Sequence, residues 1–533
     1  MASSNYATGH DLIFGFNGIQ VLKGHLRLQD LVTGTVVATL VYWLALIIYR
    51  LYFSPLAGFP EPKIAAATEW YEFYFQLVKD GQWGNQVKRL HEEYGPIVRI
   101  TPWELSIRDL DFYHELYVAS STRRTDSWAR GREGNGFDGK SYSHHLSVSH
   151  DLHRQRRKHL ETFFSKQNIT RFEDIIVNKI QLLEDQLWRL KGTKSVVSVN
   201  DAFTALTGDI IGHVACGAHP GLVDDANFSP EWHDLMTKTV LVAPLFRCSS
   251  WLNRLIQCLP SSVLQRLYPE GISNMMVGKM GKEYIERTKN RIQQKKDSDA
   301  NSPKLSVFHH LLTSNIPESE KSTSRLQAEA MVILIAGTFT SAHTLSMIVY
   351  HALSDPSVEK RLREDLKDIM SCYPTQNPRL ADLEKIPYLQ ACIKEALRLY
   401  GLIGNLPRCS PDVELQFKQW TIPRSTPVGM SIHYMHTHPD VWPEPLKFVP
   451  ERWLGNCNRQ MDRNFVPFTK GSRSCIGMNL AMAELYLTIA ILFRPNGPKL
   501  SLFETDESDV EFVRDFVMGF PKQGSRGVRV TVE

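Results

Sequence analysis

The chain has 533 residues, 43% hydrophobic and 22% charged, with a formal net charge of +4. That balance belongs to a folded globular protein, and length alone predicts about two to four domains. So small a basic excess gives no support for nucleic-acid binding, which usually shows a strong basic stripe. The eight cysteines, Cys216, Cys248, Cys258, Cys372, Cys392, Cys409, Cys457 and Cys475, form no C-x-x-C pair; this argues against a disulfide framework and for a reducing compartment.

After an N-terminal segment, residues 1–30, the first patterned element is Leu31–Tyr49, 19 positions without a charge between Asp30 and Arg50. At about 1.5 Å per residue, a helix of this length roughly spans a bilayer core of about 30 Å. Tyr42, Trp43 and Tyr49 supply the aromatic rings that favour membrane interfaces. The run is long and starts late for a cleaved signal, so residues 31–49 read as a retained transmembrane anchor, with a buried core helix as the other reading. Lys23 and Arg27 nearly balance Arg50 and Lys63, which leaves orientation open, while the cysteine content favours a cytosolic catalytic part. Residues 50–65 hold Pro55, Pro60, Pro62 and Gly58, cannot continue a helix, and read as a stiff hinge.

Residues 66–533 show no internal repeat and no second composition break. Periodicity is mainly helical, with short β-like segments around 97–107, 411–432 and 527–532 and polar surface loops at about 293–304 and 315–326. No G-x-x-x-x-G-K-[ST] loop and no dinucleotide fingerprint after a strand occurs, so no nicotinamide or flavin site of its own is evident.

Four local patterns carry chemistry. In H-R-Q-R-R-K, residues 153–158, His153 and Arg157 share one helix face and Arg154 and Lys158 another. The second face reads as a solvated basic surface or as a docking patch for an acidic electron donor. A helical pattern over Leu326–Leu353 contains A-G-T-F-T-S at 336–341. There Gly337 permits close approach to the backbone, and the Thr340 hydroxyl can bond the Ala336 carbonyl four residues back. In K-E-A-L-R-L-Y, Glu395 and Arg398 form an i, i+3 pair, but Glu511 and Arg514 repeat the spacing, so the pair alone decides nothing. Finally F-T-K-G-S-R-S-C-I-G, residues 468–477, precedes an apolar helical pattern, Met478–Phe493. Cys475 falls at the positive end of that helix, where a thiolate is favoured. Gly471 and Gly477 permit a tight turn, Arg473 adds a cation, and a buried core thiol is the plain alternative.

The string at 468–477 resembles the haem-binding signature of the cytochrome P450 family, F-x-x-G-x-R-x-C-x-G, at every specified position: Phe468, Gly471, Arg473, Cys475 and Gly477. The resemblance implies that Cys475 is the proximal iron ligand, that Phe468 packs near the sulfur, and that Arg473 contacts a haem propionate. A thiolate ligand donates electron density to iron and favours O–O cleavage. K-E-A-L-R with F-V-P-E-R-W at 448–453 resembles the family's E-x-x-R helix and P-E-R-x segment, which implies a buried ion network of Glu395, Arg398 and Arg452. The A-G-T-F-T-S string resembles the oxygen-binding A-G-x-[DE]-T-[TS], placing Ala336, Gly337, Thr340 and Ser341 at the catalytic helix and Phe339 where the family has an acid. With that acid missing, water held by Thr340 and Ser341 becomes the expected proton route. His153 and Arg157 resemble the W-x-x-x-R pair, with His where Trp is commoner, and imply propionate contacts; Arg408 would be a further one.

The family implies one mainly α catalytic domain with a small β portion, residues 66–533, behind the transmembrane helix. It implies haem b and insertion of one oxygen atom from O2 into an unactivated C–H bond or a double bond. The apolar substrate would be a small molecule such as a terpenoid or polyketide. Only 58 residues follow Cys475, so electrons are expected from a separate NADPH-dependent reductase, with the enzyme single-pass in the endoplasmic reticulum and its catalytic part cytosolic. The stretch from Ser54 to Tyr74 is most similar to fungal members that decorate secondary metabolites. By analogy the pocket draws on residues 118–145, 203–250, 333–341, Gly401–Asn405 and Phe516–Phe520, with Leu402, Ile403, Leu406, Phe516, Val517 and Met518 apolar. Two rivals stay open: a reductase-independent haem-thiolate isomerase or dehydratase, separated by NADPH-dependent O2 consumption, and a non-catalytic membrane haem binder, separated by product formation.

Overall fold

A computed structural model describes residues 28–129, 143–218, 220–248, 263, 272–294, 306–401, 404–455 and 458–533. The chain divides into two compact units, Met1–Ala57 and Gly58–Glu533, so one large body stands where length alone predicted several domains.

In the first unit, the α-helix Leu28–Ile48 runs on through a wider turn, Tyr49–Phe53, giving 26 residues, long and apolar enough to cross a membrane. No residue of Leu28–Ile48 is buried. Thr35 and Thr39 turn their hydroxyls back onto the carbonyls of Leu31 and Thr35, each at 2.7 Å, so neither presents an unsatisfied donor to an apolar surround. The helix therefore overshoots 31–49 at both ends and passes through Arg50, inside the predicted hinge. It stops at Ser54, one residue before Pro55, because a residue preceding proline is pushed out of the helical region. The hinge also contains the start of a short helix, Lys63–Ala67, whose N-cap position is Pro62.

The second unit is built around one long helix, Thr323–Ser354, most of whose side chains are buried. Val199–Cys216, Ile272–Gln293, Pro387–Tyr400 and Met478–Leu492 pack against it. It begins three residues before the predicted Leu326 and ends at Asp355–Pro356, where proline starts the next helix and the Asp355 carboxylate caps it by accepting from Ser357 N at 2.9 Å. The predicted loop at 315–326 is consequently narrower: Glu318–Lys321 forms a single 3-10 turn and the long helix already begins at Thr323. Glu320 in that turn is held by Arg156 and Arg325, at 3.0 and 2.8 Å, which local polarity could not foretell. Residues 295–304 of the other predicted loop lie outside the described residues.

All three β-like segments contain strands. The main sheet orders Ile97–Arg99, Leu105–Ile107, Val428–Gly429, Arg408–Cys409 and Asp126–Ser127 side by side, with Ser127 opposite Arg408 and Arg408 opposite Val428. Leu415–Phe417 pairs with Trp420–Ile422 as a hairpin. Near the C-terminus Arg514–Phe516 pairs with Met518–Phe520, and Arg529–Val532 lies between Val197–Ser198 and Leu500–Leu502. The molecule is thus mostly helical with small sheets.

Gly337 marks a tight crossing in the helical core. A Cβ there would lie 2.6 Å from Ile211 Cγ1 on Val199–Cys216, so the packing of two helices already requires glycine, whatever else approaches that backbone. Gly337→Ala is expected to lower the unfolding free energy by about 1–3 kcal/mol through overpacking. In an Ile211→Ala background, which lacks the Cγ1 that a Cβ at 337 would meet, Gly337→Ala should cost less than it does beside Ile211, measured as the thermal midpoint of the full chain in detergent.

Candidate active site

The loop before the last long helix is shaped by backbone constraints. Gly471 has φ +79°, and a Cβ there would strike the Val118 carbonyl oxygen, so both conformation and space demand glycine. Ser472 N donates to that same Val118 oxygen at 3.0 Å, Ser474 N to Gly471 O at 3.2 Å, and Cys475 N to Phe468 O at 2.9 Å. Phe468 is thereby linked to the cysteine through backbone as well as packed against the core. The helix Met478–Leu492 follows, with Gly477 at its N-cap position. Nothing crowds Gly477; the nearest atom to a Cβ there is Cys475 Sγ at 4.0 Å.

Cys475 is accessible while Ser472 and Arg473 beside it are buried. Its side chain is open at atomic scale, yet the surrounding protein withholds bulk water: burial pushes the thiol up, and the amides of Gly477 and Met478 with the Arg157 guanidinium pull against that without overcoming it. The helix start favours the thiolate as expected, but desolvation is the larger effect.

Around this thiol gathers positive charge. Arg473 spends its three kinds of N–H on backbone: Nε to Thr125 O at 3.2 Å, and its two Nη atoms to Ser147 O at 2.8 Å and Val148 O at 2.7 Å. Burial and the neighbouring Arg408 push its pKa down to about 9. Arg157 binds Glu161 at 2.6 Å and Ser474 O at 2.5 Å. The ring of His153 lies between two carbonyls, His144 O at 2.8 Å from Nδ1 and Ser472 O at 3.3 Å from Nε2. Two acceptors call for a doubly protonated ring, whereas burial and Arg473 drive its pKa to about 3. Arg408 is buried, lies 5.6 Å over the Tyr117 ring, and its side chain makes one hydrogen bond among the described residues, to Pro407 O at 3.2 Å.

Among the described residues neither Arg408 nor Arg473 makes an ion pair with a carboxylate within 4.0 Å. Buried cations so poorly matched need an anion among them. A group that carries carboxylates and takes a thiolate ligand supplies it, so the residues present fit a haem: Cys475 for the iron, and Arg408, Arg473, Arg157 and His153 for propionates. The pattern reading missed Tyr113 and Tyr117 here. The Tyr113 hydroxyl is buried without a partner and feels the charge of Arg408, while the Tyr117 hydroxyl bonds Leu406 O at 3.1 Å. Their i, i+4 spacing was the one available signal, and it marks a helix face rather than a site.

On the long helix, Ala336 is exposed and Thr340 half-buried, although most of that helix is buried. The Thr340 hydroxyl donates to Ala336 O at 2.8 Å. Ser341 does not join it: successive helical side chains diverge by about 100°, and Ser341 is buried beside the Glu484 carboxyl of the following helix. Burial holds that carboxyl up at about 8, with Ser341 drawing it down. Water shared by Thr340 and Ser341 therefore gives way to Thr340 and the Ala336 carbonyl. Phe339 is buried against Phe520, ring centroids 5.8 Å apart, and His343, 6.2 Å. It walls a cavity of about 380 Å³ that also meets Asp201, His233 and Arg514.

Of the expected apolar lining, Phe516 and Met518 are buried in the core, Val517 between them is accessible with φ +77°, and Leu406 is half-buried. Leu402 and Ile403 lie outside the described residues, as do parts of 118–145 and 203–250. A cavity of about 870 Å³ opens elsewhere, among Trp83, His351, Tyr400, His433 and Phe512.

The ion network forms. Glu395 Oε1 meets Arg398 at 2.7 Å and Arg452 at 2.9 Å, and Oε2 accepts from Trp453 Nε1 at 2.9 Å. Arg398 also reaches the carbonyls of His436, Pro445 and Lys447. The look-alike Arg514 turns instead to Asp80, at 3.0 Å.

Residues 66–496 match the family model described as Cytochrome P450. The cytochrome P450 monooxygenase vrcB of Aspergillus aculeatus is 42% identical over 518 residues, covering 93% of this chain and 98% of the relative. The fusicoccadiene C-8 hydroxylase of Phomopsis amygdali is 42% identical over 515 residues, with 96% and 98% covered, and the stellatic acid synthase of Emericella variicolor 40% over 517, with 92% and 93% covered.

Glu395→Gln leaves Arg398 and Arg452 buried without their carboxylate. It is expected to cost about 3–5 kcal/mol, read as a fall in the denaturation midpoint, whereas Glu511→Gln should change it by less than about 0.5 kcal/mol.

Proposed function

The chain belongs to the cytochrome P450 family and is a haem-thiolate monooxygenase; we propose that Cys475 is the axial ligand of a haem b and that the enzyme inserts one oxygen atom from O2 into an apolar, hydrocarbon-rich small molecule of a fungal secondary-metabolite pathway. The observation that carries this is the accessible thiol at a helix start beside a buried cluster of cations short of carboxylates. When bound, the haem supplies an iron that takes up O2 and electrons.

The remaining work falls to the protein. Cys475 is held by its amide on Phe468 O, with glycine forced at 471. Arg408, whose side chain makes a single bond among the described residues, to Pro407 O, has capacity left for a propionate, Arg473 and Arg157 add charge around it, and His153 stands by as a neutral ring. Thr340, hydrogen-bonded to Ala336 O, can swing its hydroxyl to donate a hydrogen bond toward the oxygen site and then return that bond to the carbonyl, keeping its proton throughout. Phe339 excludes water where the family places an acid. A terpenoid substrate is favoured over a polyketide because similar relatives are named as hydroxylases of a diene. That substrate class suits a site with the accessible Val517 at its edge.

The electron donor in this reading is a separate NADPH-dependent reductase. A groove of about 310 Å³, walled by Phe465, Val466, Phe468 and Met482, lies beside the thiol loop; Lys394 and Lys470 rim it, with Lys166 paired to Glu384 at 2.6 Å on the same rim, and the two remaining cations support docking of an acidic protein there. The apolar helix Leu28–Phe53 supports single-pass anchoring in the endoplasmic reticulum. The free thiols among the described residues suit a cytosolic catalytic unit, residues 66–533, joined to the anchor by residues 50–65.

A reduced, CO-bound absorption spectrum tests the ligand: wild type should show the thiolate-type band and Cys475→Ser should lose it, and an unchanged band in the variant would defeat the assignment. Thr340→Ala is expected to lower product formed per NADPH consumed by about tenfold, the scale of one lost hydrogen bond to developing charge. Ser341→Ala should leave that ratio near wild type; equal losses would show a shared role.

A further inference from the structure

Glu329 is fully buried on the long helix, seven residues before Ala336 and eleven before Thr340. The i, i+7, i+11 spacing puts all three on one helix face, with Glu329 about 10 Å upstream of Ala336. Its carboxylate is fully engaged. One oxygen accepts from His144 Nδ1; the other accepts from the His144 amide at 3.0 Å and pairs with Arg325 at 2.6 Å.

His144 in turn offers its carbonyl to His153 Nδ1 at 2.8 Å, and the far side of that ring faces Ser472 O at 3.3 Å. Three and four residues further along, Ser147 and Val148 supply two of the carbonyls that hold Arg473. A second tie runs in parallel. Arg325 binds Glu320 at 2.8 Å, Glu320 binds Arg156 through both oxygens at 3.0–3.2 Å, and Arg156 also reaches the Ser147 hydroxyl at 3.0 Å. Two chains of polar contacts, one of hydrogen bonds through His144 and His153 and one of ion pairs and hydrogen bonds through Arg325, Glu320 and Arg156, thus join the face carrying Thr340 to the loop carrying Cys475, and both pass through residues 144–147.

A buried ion pair contributes little net stability over an apolar pair of similar shape, so fold strength is a poor reason for this one. Its geometry has a more specific product, the orientation of an imidazole. A histidine ring can turn about its bonds, and only the acceptor at Nδ1 fixes which way it presents Nε2. Here that acceptor is a carbonyl whose residue is clamped at both its amide and its ring by Glu329.

We propose that Glu329 is a positioning residue for the haem's propionate side, acting through His144 on His153. This rests on the haem reading of Cys475 and concerns residues remote from the iron. The test is a double-mutant cycle on the full-length holoprotein, with two readouts: the rate of haem loss to a haem-free acceptor protein and the reduction potential of the haem. Glu329→Gln should speed haem loss about tenfold, the scale of one charged hydrogen bond, and shift the potential. In a His153→Phe background the same substitution should have a much smaller effect on both, limited to what the Arg325–Glu320–Arg156 tie carries. His144→Asn, which keeps the backbone links and removes the ring, should show the same dependence on His153 and serves where Glu329→Gln fails to fold. Equal effects of Glu329→Gln or His144→Asn in both backgrounds would overturn the proposal, as would unchanged haem loss and potential in the single variants. Failure of the haem reading is separate, since wild type itself would then lack the thiolate-type band.

Discussion

A guanidinium buried without a carboxylate is expensive, and among the described residues Arg408 and Arg473 are two such groups beside one another. Charge burial is therefore the constraint that orders the rest of the structure. Where the chain supplies its own anion, as with Glu395 between Arg398 and Arg452, the cluster closes on itself and every donor finds an acceptor. Around Cys475 it does not: Arg408 has one backbone carbonyl and Arg473 has three. The first arrangement locks the Pro387–Tyr400 helix to the segment at 448–453. The second leaves a demand for negative charge that a cofactor meets, which makes cofactor binding part of the electrostatics of folding and not an addition to a finished protein.

The features legible in the sequence were those whose cause is local. In the thiol loop the positive φ of Gly471 lies in the backbone itself, although Val118, which crowds it, and the carbonyls that hold Arg473 are far away in the chain; the long helix announced itself by its period to within three residues. The Glu395 network was legible only because two separated strings occurred in order; its decoy, Arg514, has the same spacing and a different partner. What stayed hidden depends on long-range packing. The need for glycine at 337 comes from Ile211, over a hundred positions earlier. The direction of Ser341 is set by the helix that follows the cysteine, and the Glu329–His144 link spans 185 positions. Polarity at 315–326 predicted solvent, whereas Glu320 is polar because two arginines need it.

Phe339 shows how a departure from a family pattern is absorbed. An acid at this place would face a cavity bordered by Asp201, His233 and Arg514. The phenyl ring instead stacks on His343 and Phe520, joining the long helix to the C-terminal hairpin through an apolar contact. Phe339 thus offers no titratable group on that side, and Thr340 keeps its hydrogen bond to the Ala336 carbonyl on the more accessible face.

The close crossing of Gly337 and Ile211 has an evolutionary corollary. The two positions form a size pair: as long as a branched aliphatic residue stands at 211, selection for foldability alone removes every side chain from 337. Glycine there would persist in a descendant that had lost its chemistry altogether. Drift toward a smaller residue at 211 would be the event that first lets position 337 vary, so the two sites should change in that order along a lineage.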